Sequence, residues 1–302
     1  MQLNKIDISV IICCYNSENR IVSTLEHLAK QILGSLSCEI ILVDNNCTDG
    51  TVESAKKTWS SFGIPFDLKV IKENAPGLSF ARKCGVFEAK GEIIVFCDDD
   101  NWLNEQYVKI AFEAMTSNNA IGVLAGQSRA ISDVEIPTWF YTHYGNYACG
   151  VLGLHSGDVT SNLWVWGAGM VVRKELMEFL YQKYTHKTKD RTKDSMESGG
   201  DVEICFWHVL ERKLLWYDDR LKLQHFMPSN RLTKECAENQ FDAQQKSANK
   251  LSSLHKLASK YYDYNIGKLN LKKLVLNILK LRLREGLSDI YYYSIFILRI
   301  SR

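Results

Sequence analysis

"IIVFCDDDNWL", residues 93–103, decides how the chain is read. Five mostly apolar residues run without a break into Asp98, Asp99 and Asp100, and the sequence then returns at once to apolar residues. A short continuous apolar run of this kind fits a strand buried in a sheet. Three like charges at its end repel one another and resist desolvation, so the stretch calls for something cationic. A solvated turn or a helix N-cap would account for one aspartate. Three favour a bound hard divalent ion, Mg²⁺ or Mn²⁺, which takes one or two carboxylates and shares its other positions with water and substrate phosphates. The implied substrate carries a diphosphate.

Similar runs recur upstream. "ISVIICCYN" (8–16), "EIILVDNN" (39–46) and "FDLKVIKE" (66–73) are short and β-branched. Between them lie "RIVSTLEHLAKQIL" (20–33), "TVESAKKTWSSF" (51–62) and "LSFARKCGVFEAK" (78–90), with apolar residues at helical spacing. This alternation predicts an α/β fold, a mostly parallel sheet with flanking helices. In such sheets ligands bind beyond the carboxyl ends of the strands. Asn16, Asp44 and the aspartate triplet all fall there. Residues 127–168, rich in Trp, Tyr, Gly and Asn, read as irregular loops and short strands around a pocket. "DVEICFWHVLERK" (201–213) resumes helical spacing, "LLWYDDRLKLQHF" (214–226) reads as strand, and the chain beyond about residue 235 reads as helical.

Composition narrows the function classes. With 302 residues and 46% hydrophobic content the chain can bury a substantial core. Its 37 basic and 35 acidic residues nearly cancel, so no overall field argues for nucleic acid. None of the nine cysteines forms a C-x-x-C pair, and several sit in strand-like runs, as free thiols in a reducing compartment would. The start lacks the features of a signal peptide, and the expected location is the cytoplasm. No G-x-x-x-x-G-K-[ST] occurs and no G-x-G-x-x-G follows the first strand, which argues against a P-loop nucleotidase and a dinucleotide site.

Seven segments in order, "SVIICCYNSENRI", "ILVDNNCTDGT", "GLSFARKCGV", "IIVFCDDDNWL", "GAGMVVRKE", "GGDVEICFWHVLE" and "HFMPSNRLT", resemble the family 2 glycosyltransferases of the GT-A fold, of the type that builds bacterial surface polysaccharide. The resemblance implies a catalytic domain over 1–235, with a nucleotide-binding half to about 125 and an acceptor half beyond it. Residues 236–302 would form a helical extension. Cys13, Asn16 and Asp44 would then cradle base and ribose, with Arg82 near the nucleotide. The D-x-D signature falls on Asp98 and Asp100: both would be metal ligands, Asp100 the firmer and Asp98 nearer the ribose, and Asp99 would share either task. His225 would be a further metal ligand from a late strand. Asp201 would be the general base, in the place of an "ED" pair whose first member is Gly200 here. Glu203 is the reserve base. Trp139 and Trp166 would offer platforms for sugar rings, as would Trp164, with Gly167 and Gly169 letting backbone approach the donor.

The activity so implied is inverting transfer from a nucleoside-diphosphate sugar, a UDP-sugar foremost, to a hydroxyl of a saccharide or lipid-linked acceptor. A nucleotidyltransferase would need an early glycine-rich basic loop, which "CCYNSENRI" is not. A silent binding module would have no use for a base. Residues 268–302 carry eight Lys/Arg against two Asp/Glu. In "LNLKKLVLNILKLRLREG" (269–286) Lys273, Asn277, Lys280 and Arg284 form one polar stripe on a broadly apolar helix. Three coverings stay open for it: the catalytic domain, a second subunit, or an anionic membrane contacted peripherally. "IYYYSIFILRI" (290–300) adds aromatic residues but is too short to span a bilayer.

Overall fold

The computed structural model describes residues 5–193 and 195–285. The first half follows the alternation: β1 (Ile8–Cys14), α1 (Glu18–Ala29), β2 (Cys38–Asp44), α2 (Thr51–Ser61), β3 (Asp67–Lys72), α3 (Leu78–Glu88) and β4 (Ile93–Phe96). β5 (Asn101–Leu103), α4 (Tyr107–Ser117), β6 (Ile121–Ile131), β7 (Gly157–Asp158), β8 (Val171–Arg173), α5 (Lys174–Lys183), α6 (Gly200–Leu210), β9 (Leu214–Phe226), α7 (Lys234–Asn265) and α8 (Leu271–Glu285) complete it.

One sheet runs β3-β2-β1-β4-β8-β6-β9-β5, with β7 paired to β9. Its first four strands are parallel; β8 lies antiparallel between β4 and β6, β6 and β9 are parallel, and β5 and β7 run antiparallel to β9. Both faces are covered, as continuous apolar strands require. In β2, Ile40 and Leu42 pack with α1, α2 and α4, whereas Ile41 and Val43 point to the other face, with α3, α5, α6 and α7. The period of two thus splits the core into two layers.

Two elements depart from the sequence reading, and one open reading is narrowed. β4 ends at Phe96, and the aspartates sit in a turn closed by Asn101 N donating to Asp98 O (3.0 Å). β6, eleven residues long, enters the stretch read as irregular. α7 and α8, helical as expected, place Leu254, Leu257, Leu274 and Ile278 in the same core layer as α6, so this part of the apolar surface is covered within the chain. Leu271, Leu276 and Leu279 of α8 stay exposed. The side chain of Arg284 and residues 290–300 lie outside the described residues.

β6 and β9 also lose register between Ala125 and Gln127, where β9 bulges. Gly126 permits this, because a Cβ there would lie 2.1 Å from the Leu221 carbonyl oxygen. Gly126→Ala should therefore lower the free energy of unfolding by about 1–3 kcal/mol, the usual cost of overpacking, as read by urea denaturation. An unchanged midpoint would contradict the close approach.

Candidate active site

The turn after β4, the start of α6 and the end of β9 converge on one cavity of about 750 Å³. Its size suits a nucleotide-sized ligand. Asp98, Asp99, Asp100, Arg82, Asp201, His225, Cys13, Trp164, Trp166 and Gly167 all line it.

Each aspartate of the triplet has its own cation. Asp98 Oδ1 lies 3.6 Å from Arg82 Nη2. Asp99 Oδ2 accepts from Arg20 Nη2 at 2.8 Å and from the Ser17 hydroxyl. Asp100 sits 3.3 Å from His225 Nε2 and accepts from Arg231 Nη1 at 3.1 Å. Burial works against charge at all three. Arg82 only partly offsets this at Asp98, and Arg20 only partly at Asp99, so both carboxyls titrate above their ordinary range. For Asp100 the cations win, and His225 with Arg231 holds its carboxyl well below that range. Burial would lower the His225 pKa, but Asp100 raises it to about 9.

The triplet therefore does not by itself demand a metal, which corrects the sequence argument from repulsion. Among the described residues no group of three His, Cys, Asp or Glu side chains is already gathered as a metal cage. The donor set still fits a divalent ion. A carboxylate and an imidazole nitrogen face each other across 3.3 Å, an ion entering between them would take the place of the imidazole proton, and phosphate and water can fill the remaining positions.

Asp201 stands in the first turn of α6. Its Oδ2 accepts from Gly167 N at 2.8 Å and its Oδ1 from its neighbour Val202 N at 2.8 Å. The carboxylate does not cap its helix, whose N-cap is Gly199 with no side-chain bond. A Cβ on Gly167 would lie 3.0 Å from both Arg82 Nη2 and Asp201 Cβ, so glycine lets this backbone slip between the base candidate and the arginine.

Other expected residues lie elsewhere. Asn16 accepts from Thr48 N (2.8 Å), joining the loop after β1 to the loop after β2, and Asp44 accepts from Cys47 N (2.8 Å) within its own loop. Neither lines the cavity, where Tyr15 and Asn45 appear instead. Trp139 packs against Phe140 and His143. Glu203 is fully buried and holds the loop that precedes α6 through His186 Nδ1 (3.0 Å) and Lys187 N (2.8 Å), so it is no reserve base. Gly200 has no side chain to offer an acceptor, and its bare backbone makes room for Asp190, whose Oδ2 would lie 2.7 Å from a Cβ there.

Asp190, Arg20, Arg231 and one face of α7 escaped the sequence reading. Asp190 is 3% exposed and 3.6 Å from Arg82 Nη1, at the end of a left-handed turn (φ 51°). Its surroundings, "KTKDRTKD", look like a solvated charge run. Arg20 and Arg231 do fall inside quoted motifs, "SENRI" and "PSNR", but lie 79 and 131 residues from their partners in the triplet, so membership in those motifs is the only sequence signal.

Residues 9–164 match the model of Glycosyl transferase family 2. Glycosyltransferase GlyG of Streptococcus pneumoniae serotype 4 is 30% identical over 226 residues, 72% of this chain and 69% of that protein. The chain belongs to glycosyl transferase family 2. A cholesterol galactosyltransferase of Borreliella burgdorferi aligns at 28% identity over 39% of this chain, and the chain covers only 32% of its length. The crystal structure of S. aureus TarS 1–349 in complex with UDP-GlcNAc has a TM-score of 0.58 at 16% identity, covering 91% of this chain and 80% of that one. Mannosyltransferase PcManGT from Pyrobaculum calidifontis, in complex with GDP-Man and Mn²⁺, has a TM-score of 0.56 at 14% identity, covering 97% of this chain and 68% of that one. At these identities the two structures establish the fold, GT-A.

Asp190 gives a pH test. Burial raises its pKa to about 7, with Arg82 opposing and Asp201 adding to the rise. Its contribution to stability is complete below about pH 4, the unfolded value, and is lost as pH climbs through 7. Asp190→Asn should remove that loss. Relative to the unaltered protein, the variant should gain on the order of 3 kcal/mol between pH 4 and pH 8 in chemical denaturation. A constant offset across that range would contradict the buried placement.

Proposed function

We propose that the chain transfers a sugar from a nucleoside-diphosphate sugar to an acceptor hydroxyl, with inversion at the anomeric carbon. The observation that carries this reading is that Asp201 and the aspartate triplet face one cavity, with Arg82 between them. A single in-line displacement needs two things there: a base at the acceptor hydroxyl and positive charge at the departing diphosphate. Asp201 Oδ2, oriented by Gly167 N, accepts the hydroxyl proton. Arg82, Arg20 and Arg231 line the same cavity and supply fixed positive charge.

Asp98, Asp100 and His225 would hold a divalent ion, Mn²⁺ or Mg²⁺. When bound, such an ion neutralises charge on the diphosphate, a contribution of roughly several kcal/mol. The donor is a UDP-sugar, in line with the UDP-GlcNAc bound by the TarS structure. A lipid-linked saccharide in surface-polysaccharide assembly suits the acceptor side. The exposed leucines of α8, next to Lys272, Lys273 and Lys280, would suit peripheral contact with an anionic membrane or a second subunit. No helix among the described residues is long and apolar enough to cross a membrane.

The test pairs a donor panel with two variants. UDP-, GDP- and dTDP-sugars are incubated with Mn²⁺, and release of the nucleoside diphosphate is followed. The UDP-sugar should be turned over. Asp201→Asn should lower that rate by about 10²–10⁴-fold while UDP still binds. Asp100→Asn should weaken UDP binding itself. Near-normal turnover by either variant removes that residue from the mechanism.

A further inference from the structure

α7 carries a polarity switch along one face. Toward its C-terminal half this face is Leu251, Leu254, Leu257, Ala258 and Tyr261, all buried in the core. At its N-terminal half the same face presents Gln240, Gln244 and Ser247, which line the active-site cavity. The spacings of four and three keep them on one side of the helix. A helix that served only as packing would continue the apolar series, because burying an amide without full bonding costs about 1–3 kcal/mol.

Gln240 is 3% exposed, and its Oε1 has no hydrogen-bond partner among the described residues. Its Nε2 donates to the Asn146 carbonyl at 2.5 Å, and Gln244 Nε2 donates to the same oxygen at 3.0 Å. One residue earlier, the Gly145 carbonyl accepts from Trp166 Nε1 at 3.1 Å. Residues 145–146 thus tie the two glutamines and the tryptophan to one wall. Trp164 stands edge-on to Trp166, with ring centroids 5.9 Å apart. Trp166 precedes Gly167, whose N–H holds the Asp201 carboxylate.

We infer that this wall is the acceptor subsite and that it takes a neutral saccharide ring, resting on the Trp164–Trp166 pair with its hydroxyls on the Gln244 and Gln240 amides. The chemistry selects the class. Aromatic faces with neutral amides recognise an uncharged polyhydroxylated ring. Of the ionisable residues of α7 only His255 lines the cavity, and none of its lysines does, as they would for a polyol phosphate. The acceptor is therefore held partly by the helix that follows the residues matched to the family model, which end at 164. This inference rests on the glycosyl-transfer reading and specifies its acceptor.

Saturation-transfer NMR on the full chain with UDP and Mn²⁺ tests it. The probes are methyl β-D-glucoside, N-acetylglucosamine and lactose, against glycerol phosphate and ribitol phosphate. At least one saccharide should bind saturably. Gln244→Leu and the double variant with Gln240→Leu should weaken it by about tenfold or more, the loss of one or two hydrogen bonds, with UDP affinity within about twofold. Retained UDP affinity also shows that these variants are folded. The inference is overturned if no saccharide binds, if the variants bind saccharide as the unaltered chain does, if saccharide and UDP binding fall together, or if a polyol phosphate binds in preference. Failure of the glycosyl-transfer reading shows elsewhere, as absent turnover in the donor panel.

Discussion

Three carboxylates placed side by side at the end of a buried strand must each be matched by positive charge, and the rest of the site is arranged around that demand. β4 delivers the turn, but the matching cations come from three other places. α3 sends Arg82, α1 sends Arg20, and the end of β9 with the turn after it sends His225 and Arg231. The neutralising contacts thereby tie a helix from each core layer and the late strand β9 to one point. Because burial penalises isolated charge, removing Arg82 or Arg20 strands its aspartate, whereas Asp100 keeps one of its two partners.

This arrangement explains why the cavity suits a leaving group that gains negative charge. The arginines are already oriented and partly desolvated, so little reorganisation is needed as charge develops. Asp201 stands on the opposite side of Arg82, fixed by a backbone N–H rather than by a cation. Among the described residues Asp201 makes no ion pair, whereas Asp100 is tied to two cations.

Much of the fold was legible because parallel strands covered on both faces leave an unmistakable trace, seen in "ISVIICC" and "EIILVD" flanked by helical periods. Long-range pairing left no such trace. β6 passes through glycine-broken sequence, and its register with β9 depends on a bulge that periodicity does not record. At the site, the triplet, Arg82, Asp201, His225 and Trp166 could be located from motifs that survive as short strings. Asn16, Asp44, Trp139 and Glu203 illustrate the limit, since strand-end position or residue type alone does not say where a side chain points. Asp190 and the α7 glutamines were invisible for the opposite reason: a charge run and a polar helix face usually mean solvent, and only tertiary contact turns them inward.

The central claim is that the charged cluster exists to receive a diphosphate together with a divalent ion. Calorimetric titration of UDP into the protein, once with Mn²⁺ and once with a chelator, addresses it most directly. The account predicts that Mn²⁺ tightens UDP binding by about tenfold or more, equivalent to about 1.4 kcal/mol. Equal affinity under both conditions, or no UDP binding in either, would contradict it.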